Sequence, residues 1–108
     1  MIENIINKYL LSESVSNDIY SQLGGNKFIA MTGAKNLILS NNSLSMRLPK
    51  AKNGINYVKI ILNSSDTYDL EFGRVNGLDY KVKKIIKDVY VNKLIDVFEE
   101  ETGLYTSL

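Results

Sequence analysis

Cysteine and histidine are both missing from this chain, and proline occurs once. The first two absences exclude whole classes of chemistry: disulfides, thiolate and imidazole metal sites, cysteine nucleophiles and histidine bases. An enzyme built from what remains would have to use carboxylates, lysine, tyrosine or hydroxyls. The lack of cysteine also fits a reducing compartment. Scarce proline, with 44% hydrophobic residues over 108 positions, argues against disorder and for one compact domain spanning 1–108. Long apolar runs are missing too. None approaches the ~20 residues that a membrane helix needs, and Met1-Ile2-Glu3-Asn4 lacks the basic opening of a secretion signal. The expectation is a cytoplasmic protein with no membrane partner.

What is present is unevenly charged. The net charge is only +1, but residues 27–87 hold eleven Lys/Arg against four Asp/Glu. Residues 1–26 hold one against three, and residues 88–108 one against five. A basic middle therefore lies between acidic ends, an asymmetry that bears on partners.

Periodicity divides the chain the same way. Ile2, Ile5, Ile6, Tyr9 and Leu10 recur at helical spacing, and Ser12 or Ser14 can cap a second short helix with Val15, Ile19 and Leu23 on one face. Residues 1–25 are thus expected to be helical. From residue 26 to 87 the period is read as two: Leu44-Met46-Leu48, Val58-Ile60-Leu62, Tyr68-Leu70-Phe72 and Tyr80-Val82 alternate with more polar neighbours. Asn41-Asn42 as a two-residue turn sets Leu39 opposite Leu44 and Leu37 opposite Met46. A three-residue loop at Val75-Asn76-Gly77 sets Phe72 opposite Tyr80, Leu70 opposite Val82, Glu71 opposite Lys81 and Asp69 opposite Lys83, so that core meets core and acid meets base. Residues 88–103 are expected to form a helix. Asp88 is its cap, Val91, Leu94, Ile95 and Phe98 its stripe, and Gly103 its end, with Leu104 folding back on Phe98.

Three segments invite a chemical reading. Gly24-Gly25-Asn26-Lys27-Phe28-Ile29-Ala30-Met31-Thr32-Gly33-Ala34-Lys35-Asn36 looks like a phosphate loop but lacks its spacing: Ala34 separates Gly33 from Lys35, and Asn36 replaces the hydroxyl. The expectation is that Gly24-Gly25 end a helix and Gly33 bends an edge strand. Asp66, Asp69 and Glu71 could hold a hard cation or act as acid and base, yet the register supplies lysine partners, so no metal and no catalytic residue is assigned. The basic set is more suggestive. Lys50 and Lys52 flank Ala51 after Pro49, with Tyr57, Lys59, Arg47 and Lys35 nearby, the mixture of cations and ring with which single-stranded nucleic acid is gripped. Finally, Glu99, Glu100 and Glu101 fall in the last helical turn, the wrong sign for the helix dipole, and suit a protein partner with a basic surface.

Several blocks resemble a family of small proteins of unknown function encoded by bacteriophages and prophages. They are Gln22-Leu23-Gly24-Gly25, Phe28 to Asn36, Asp66-Thr67-Tyr68-Asp69, Phe72, and Thr102-Gly103-Leu104-Tyr105-Thr106-Ser107-Leu108. The resemblance implies a viral or mobile-element origin and a host cytoplasm, and carries no site residues. A strand meander followed by one packed helix is also similar to the single-strand-binding fold of transcriptional coactivators, which often dimerise through the helix.

The expected fold is α+β: an N-terminal helix or helices, an antiparallel meander of four or five strands, and a C-terminal helix on one face. The expected function is a non-enzymatic accessory protein without cofactor. It binds nucleic acid through Lys50, Lys52, Tyr57, Lys59, Arg47 and Lys35. The alternative is an inhibitor of a host protein, such as a CRISPR-type defence nuclease, engaged through Glu99, Glu100 and Glu101. A homodimer is compatible with either.

Overall fold

A computed structural model describes residues 15–49 and 51–107. The expected helix of Ile2, Ile5, Ile6, Tyr9 and Leu10, the caps Ser12 and Ser14, and Lys50 lie outside the described residues. Within them the fold is α+β. Five strands form one antiparallel meander in the order β1-β2-β3-β4-β5, with three helices, the last of them C-terminal.

Residues 15–23 are helical (α1), and Ile19 and Leu23, four apart, are fully buried. The Ser16 hydroxyl donates to the carbonyls of Ser40 (2.7 Å) and Ser43 (2.9 Å), tying α1 to the first strand turn. The Gly24 N–H bonds to Ser21 and the Gly25 N–H to Tyr20, the paired 5→2 and 6→1 bonds that close a helix on glycine.

Asn26–Thr32 then form a second helix, α2, where a strand was expected. Gly33 does not bend a strand. Its φ of 72° makes it the left-handed residue that ends α2. The run Phe28-Ile29-Ala30-Met31 has no period of its own, so it is ambiguous between strand and buried helix. Phe28 and Thr32, four apart, are the buried positions, as a helix requires.

The central strands follow the sequence pattern. β2 (Ser43–Arg47), β3 (Tyr57–Leu62) and β4 (Tyr68–Asn76) pair without a slip from Ser43↔Ile61 to Arg47↔Tyr57 and from Tyr57↔Gly73 to Leu62↔Tyr68. Leu44, Met46, Leu48, Val58, Ile60, Leu70 and Phe72 are no more than 2% exposed. β1 (Lys35–Leu39) joins through the Asn41-Asn42 turn with Leu39 opposite Leu44, as expected. A bulge between Lys35 and Ile38 interrupts the ladder where Leu37 was to meet Met46.

β5 (Asp79–Val89) departs from expectation. The turn is Gly77-Leu78, giving Asn76↔Asp79, Val75↔Tyr80, Arg74↔Lys81 and Gly73↔Val82. A bulge then shifts the pairing to Phe72↔Lys84, Glu71↔Ile85 and Leu70↔Ile86, and a second slip ends it at Tyr68↔Val89. Phe72 therefore does not face Tyr80, nor Glu71 Lys81, nor Asp69 Lys83. The reason is burial. This register carries β5 to Val89, which is buried, and packs Ile86 against the core. Burying such side chains is worth about 1.5–3 kcal/mol each, against roughly 0.2–1 kcal/mol for a cross-strand ion pair.

Asp88 consequently lies inside β5 instead of capping a helix. A short 3-10 turn, Val91–Lys93, leads into α3, Leu94–Thr102. Leu94 and Phe98 are buried and Val91 is exposed. Gly103 ends α3 in the left-handed conformation, and Leu104 packs against the core as expected. α2 and α3 end alike. Thr32 and Thr102 each donate to the carbonyl of the phenylalanine four residues before (2.8 and 2.7 Å), accept the N–H two residues on (3.2 Å each), and precede a left-handed glycine. The two phenylalanines, Phe28 and Phe98, meet edge to face at 5.1 Å.

All three helices share one buried cluster with the Leu44–Val58–Leu70 side of the sheet. The other side carries none of the described helices.

Candidate nucleic-acid interface

The register fixes what this other face, open toward β5, presents: Tyr80, Val82 and Ile85 are exposed on it, Arg47, Tyr57 and Lys59 are half-buried, and Ser43 and Ser45 are buried. One row crosses the sheet as Lys35, Arg47, Tyr57, Gly73 and Val82; the next runs Ile38, Ser45, Lys59, Glu71 and Ile85. Four of the expected nucleic-acid residues, Lys35, Arg47, Tyr57 and Lys59, thus come together on adjacent positions of three strands. Lys52 does not join them. It opens the 3-10 turn Lys52–Gly54, and its aliphatic stem packs beside Gly103 at the end of α3.

The residue that the sequence reading misplaced is Tyr80. It was assigned to the core; it is 43% exposed on the open face. Its ring lies over Gly73, where a Cβ would run into the Tyr80 ring and hydroxyl. The glycine is therefore a seat for the tyrosine, and Gly73 inside a strand is the signal that could have found it, since such glycines mark a close approach. The Tyr80 hydroxyl donates to Glu71 Oε2 at 2.7 Å, and its ring meets that of Tyr57 edge to face at 5.2 Å. Partial burial, then the hydrogen bond to Glu71 and the neighbouring Glu71 charge, push the phenol well above the ordinary tyrosine range. The result is a fixed aromatic pair in the middle of the face. Lys59 stands opposite Glu71, and the buried Nε of Arg47 has no hydrogen-bond partner among the described residues.

The acidic segments are largely engaged within the fold. Asp69 Oδ1 accepts Asn63 Nδ2 (3.0 Å) and the Asp88 N–H (3.0 Å), while Asn63 Nδ2 also reaches Asp88 Oδ1 (3.2 Å). These bonds tie the end of β5 to the β3–β4 turn, where Asp66 sits with φ 60°. Glu99, Glu100 and Glu101 differ in how far they are engaged within the fold. Glu99 Oε2 accepts both the N–H (2.8 Å) and hydroxyl (3.1 Å) of Thr106, holding the C-terminal segment against α3. Glu101 is the partner of Lys84 at 3.4 Å, the one ion pair among the described residues. Of the three, Glu100 is exposed and the other two are half-buried.

Six of the cations form two groups on opposite sides of the sheet. Lys35, Arg47 and Lys59 belong to the open face. Arg74, Lys81 and Lys83 gather at the β4–β5 hairpin on the helix side, next to the Lys52–Gly54 turn. Among the described residues no helix is long and apolar enough to cross a membrane. No family model matches this chain, and neither a curated protein nor a solved structure matches it.

Proposed function

We propose that this protein is a non-enzymatic accessory protein, of the viral or mobile-element kind that its sequence resembles, and that it binds single-stranded nucleic acid on the open face of its sheet. One observation carries the reading: a cation–cation–aromatic row, Lys35-Arg47-Tyr57, continued by the Tyr80 ring seated on Gly73, with Lys59 alongside. Bases stack on exposed rings for about 1–3 kcal/mol each, and cations beside them follow the phosphates. The ring of Tyr80 is held at its hydroxyl by Glu71 and beneath by Gly73, so little freedom is lost when a base settles on it.

The test is a titration of labelled single-stranded oligonucleotides at several salt concentrations. Three phosphate-neutralising cations give a slope of about −2 in log affinity against log salt. Tyr80→Ala and Tyr57→Ala should each weaken binding without changing that slope; Lys59→Ala should reduce it by about 0.7. No binding at low salt would remove the reading and turn attention to a host protein as occupant of the same face.

A further inference from the structure

The hairpin cations lie away from the open-face row, and the fold places them together at some cost. Arg74 and Lys81 stand directly opposite each other on adjacent strands. Like charges at such positions repel, where a neutral or acidic residue on either strand would not. The bulge in β5 then adds a third cation. Because Val82 pairs with Gly73 and Lys84 with Phe72, Lys83 is the extra residue. Lys83 Nζ and Arg74 Cδ both come within 3.9 Å of the point where a Cβ would stand on Gly54, so the two side chains converge over that glycine. The guanidinium is fixed there by donating to the Gly54 carbonyl at 3.1 Å. Lys84, by contrast, has its own carboxylate in Glu101.

These side chains line a depression of about 220 Å³ with Asn76, Asp79 and Tyr80. Its lining holds three cations and one carboxylate. None of the three cations forms an ion pair among the described residues. The volume is below the ~300 Å³ at which pockets for drug-sized ligands begin, so it fits one small group, and the surplus of cations in the lining calls for an anionic one. Arg74 supplies a guanidinium fork, and Lys81 and Lys83 supply point charges, a donor set that suits phosphate oxygens.

We infer that the β4–β5 hairpin is a phosphate-binding site, on the opposite side of the sheet from the open-face cations, in which Arg74, Lys81 and Lys83 hold a phosphate group. The group comes either from a free polyphosphate or from a nucleic-acid backbone. The site stands on its own geometry and does not depend on the open-face reading.

The experiment is amide-resolved NMR of the full chain, titrated in one arm with inorganic triphosphate and in the other with a 5′-hydroxyl oligonucleotide. Saturable shifts at Gly54, Arg74, Lys81 and Lys83 are expected. If triphosphate alone produces them, the ligand is a free polyphosphate; if the oligonucleotide alone does, it is the backbone. Lys81→Glu should weaken the response about tenfold or more, as expected for a lost charge-assisted hydrogen bond. It should leave the melting temperature unchanged or raised, because it replaces a repelling cross-strand pair with an attracting one. Lys87→Glu, the same charge change on β5 outside the depression, should leave the response nearly intact. Lys59→Ala should leave triphosphate binding intact whatever it does to the oligonucleotide, which separates this site from the open face. Saturation by neither probe, shifts spread evenly over Lys27, Lys35 and Lys87, or equal weakening by Lys87→Glu would each overturn the assignment.

Discussion

Phe72 and Gly73 are neighbours in the chain and belong to opposite worlds. Phe72 points into a face lined by Leu44, Val58, Ile60 and Leu70, all fully buried under the helices. Gly73 faces the other side, that of Arg47, Tyr57, Lys59 and the exposed Val82 and Ile85, with the Tyr80 ring as its roof. The covered face is filled by shape and apolar area. The open face is organised by single polar anchors: Glu71 for Tyr80, and register for Lys59 and Arg47. On the proposed reading, one sheet divides stability and recognition between its two sides, and substitutions should separate the two.

The largest effect is expected at Phe72→Ala, which should cost about 3–5 kcal/mol in urea unfolding by removing a fully buried ring. Binding should fall only in proportion to the folded fraction. Gly73→Ala, one residue on, should cost roughly 1–3 kcal/mol because its Cβ meets the Tyr80 ring. Its more telling result is on recognition. The ring must leave its seat, so oligonucleotide affinity should drop in protein that is still folded. A Gly73→Ala protein that binds as well as the original would show that the seat is irrelevant.

Glu71→Gln sharpens the contrast through pH. The Tyr80 phenol ionises above its unfolded value of about 10. A raised pKa favours the neutral form in the fold, so its contribution is fully present below about pH 10 and is lost as pH rises through the folded value. Replacing Glu71 removes the charge that helps to raise it. The loss of stability on the alkaline side should then be shallower, and spectroscopic titration of Tyr80 should begin at lower pH. The smallest effect belongs to Lys84→Ala. Its ion pair with Glu101 leaves the lysine more than half exposed, so unfolding should change by less than about 1 kcal/mol.

The covered face was legible in the sequence because strict alternation and short turns overdetermine it. Leu44, Met46, Val58, Ile60, Leu70 and Phe72 could be placed from period alone, and Asn41-Asn42 fixed the first register. The open face was half legible. Arg47, Tyr57 and Lys59 follow from being out of phase with that core. Tyr80 does not, because bulges break the period of β5 and the burial of Ile86 and Val89 outweighs the cross-strand ion pairs that the sequence suggests. α2 was hidden in an apolar run without period, although Phe28-x-x-x-Thr32-Gly33 repeats the pattern Phe98-x-x-x-Thr102-Gly103 that ends α3. What holds the acidic triplet in place is hidden from the sequence for a related reason. A carboxylate at a helix end is unfavourable by dipole alone, yet Glu99 gains two hydrogen bonds from Thr106, a partner seven residues away that no periodic rule connects.

The division between the two faces is tested most directly by the oligonucleotide arm of the amide-resolved titration, followed along both rows of the sheet. The account predicts that shifts gather at Arg47, Tyr57, Lys59, Gly73 and Tyr80, fade with added salt, and spare the amides of α1 and α3. Shifts centred on the helices, or a sheet that does not respond at low salt, would contradict it.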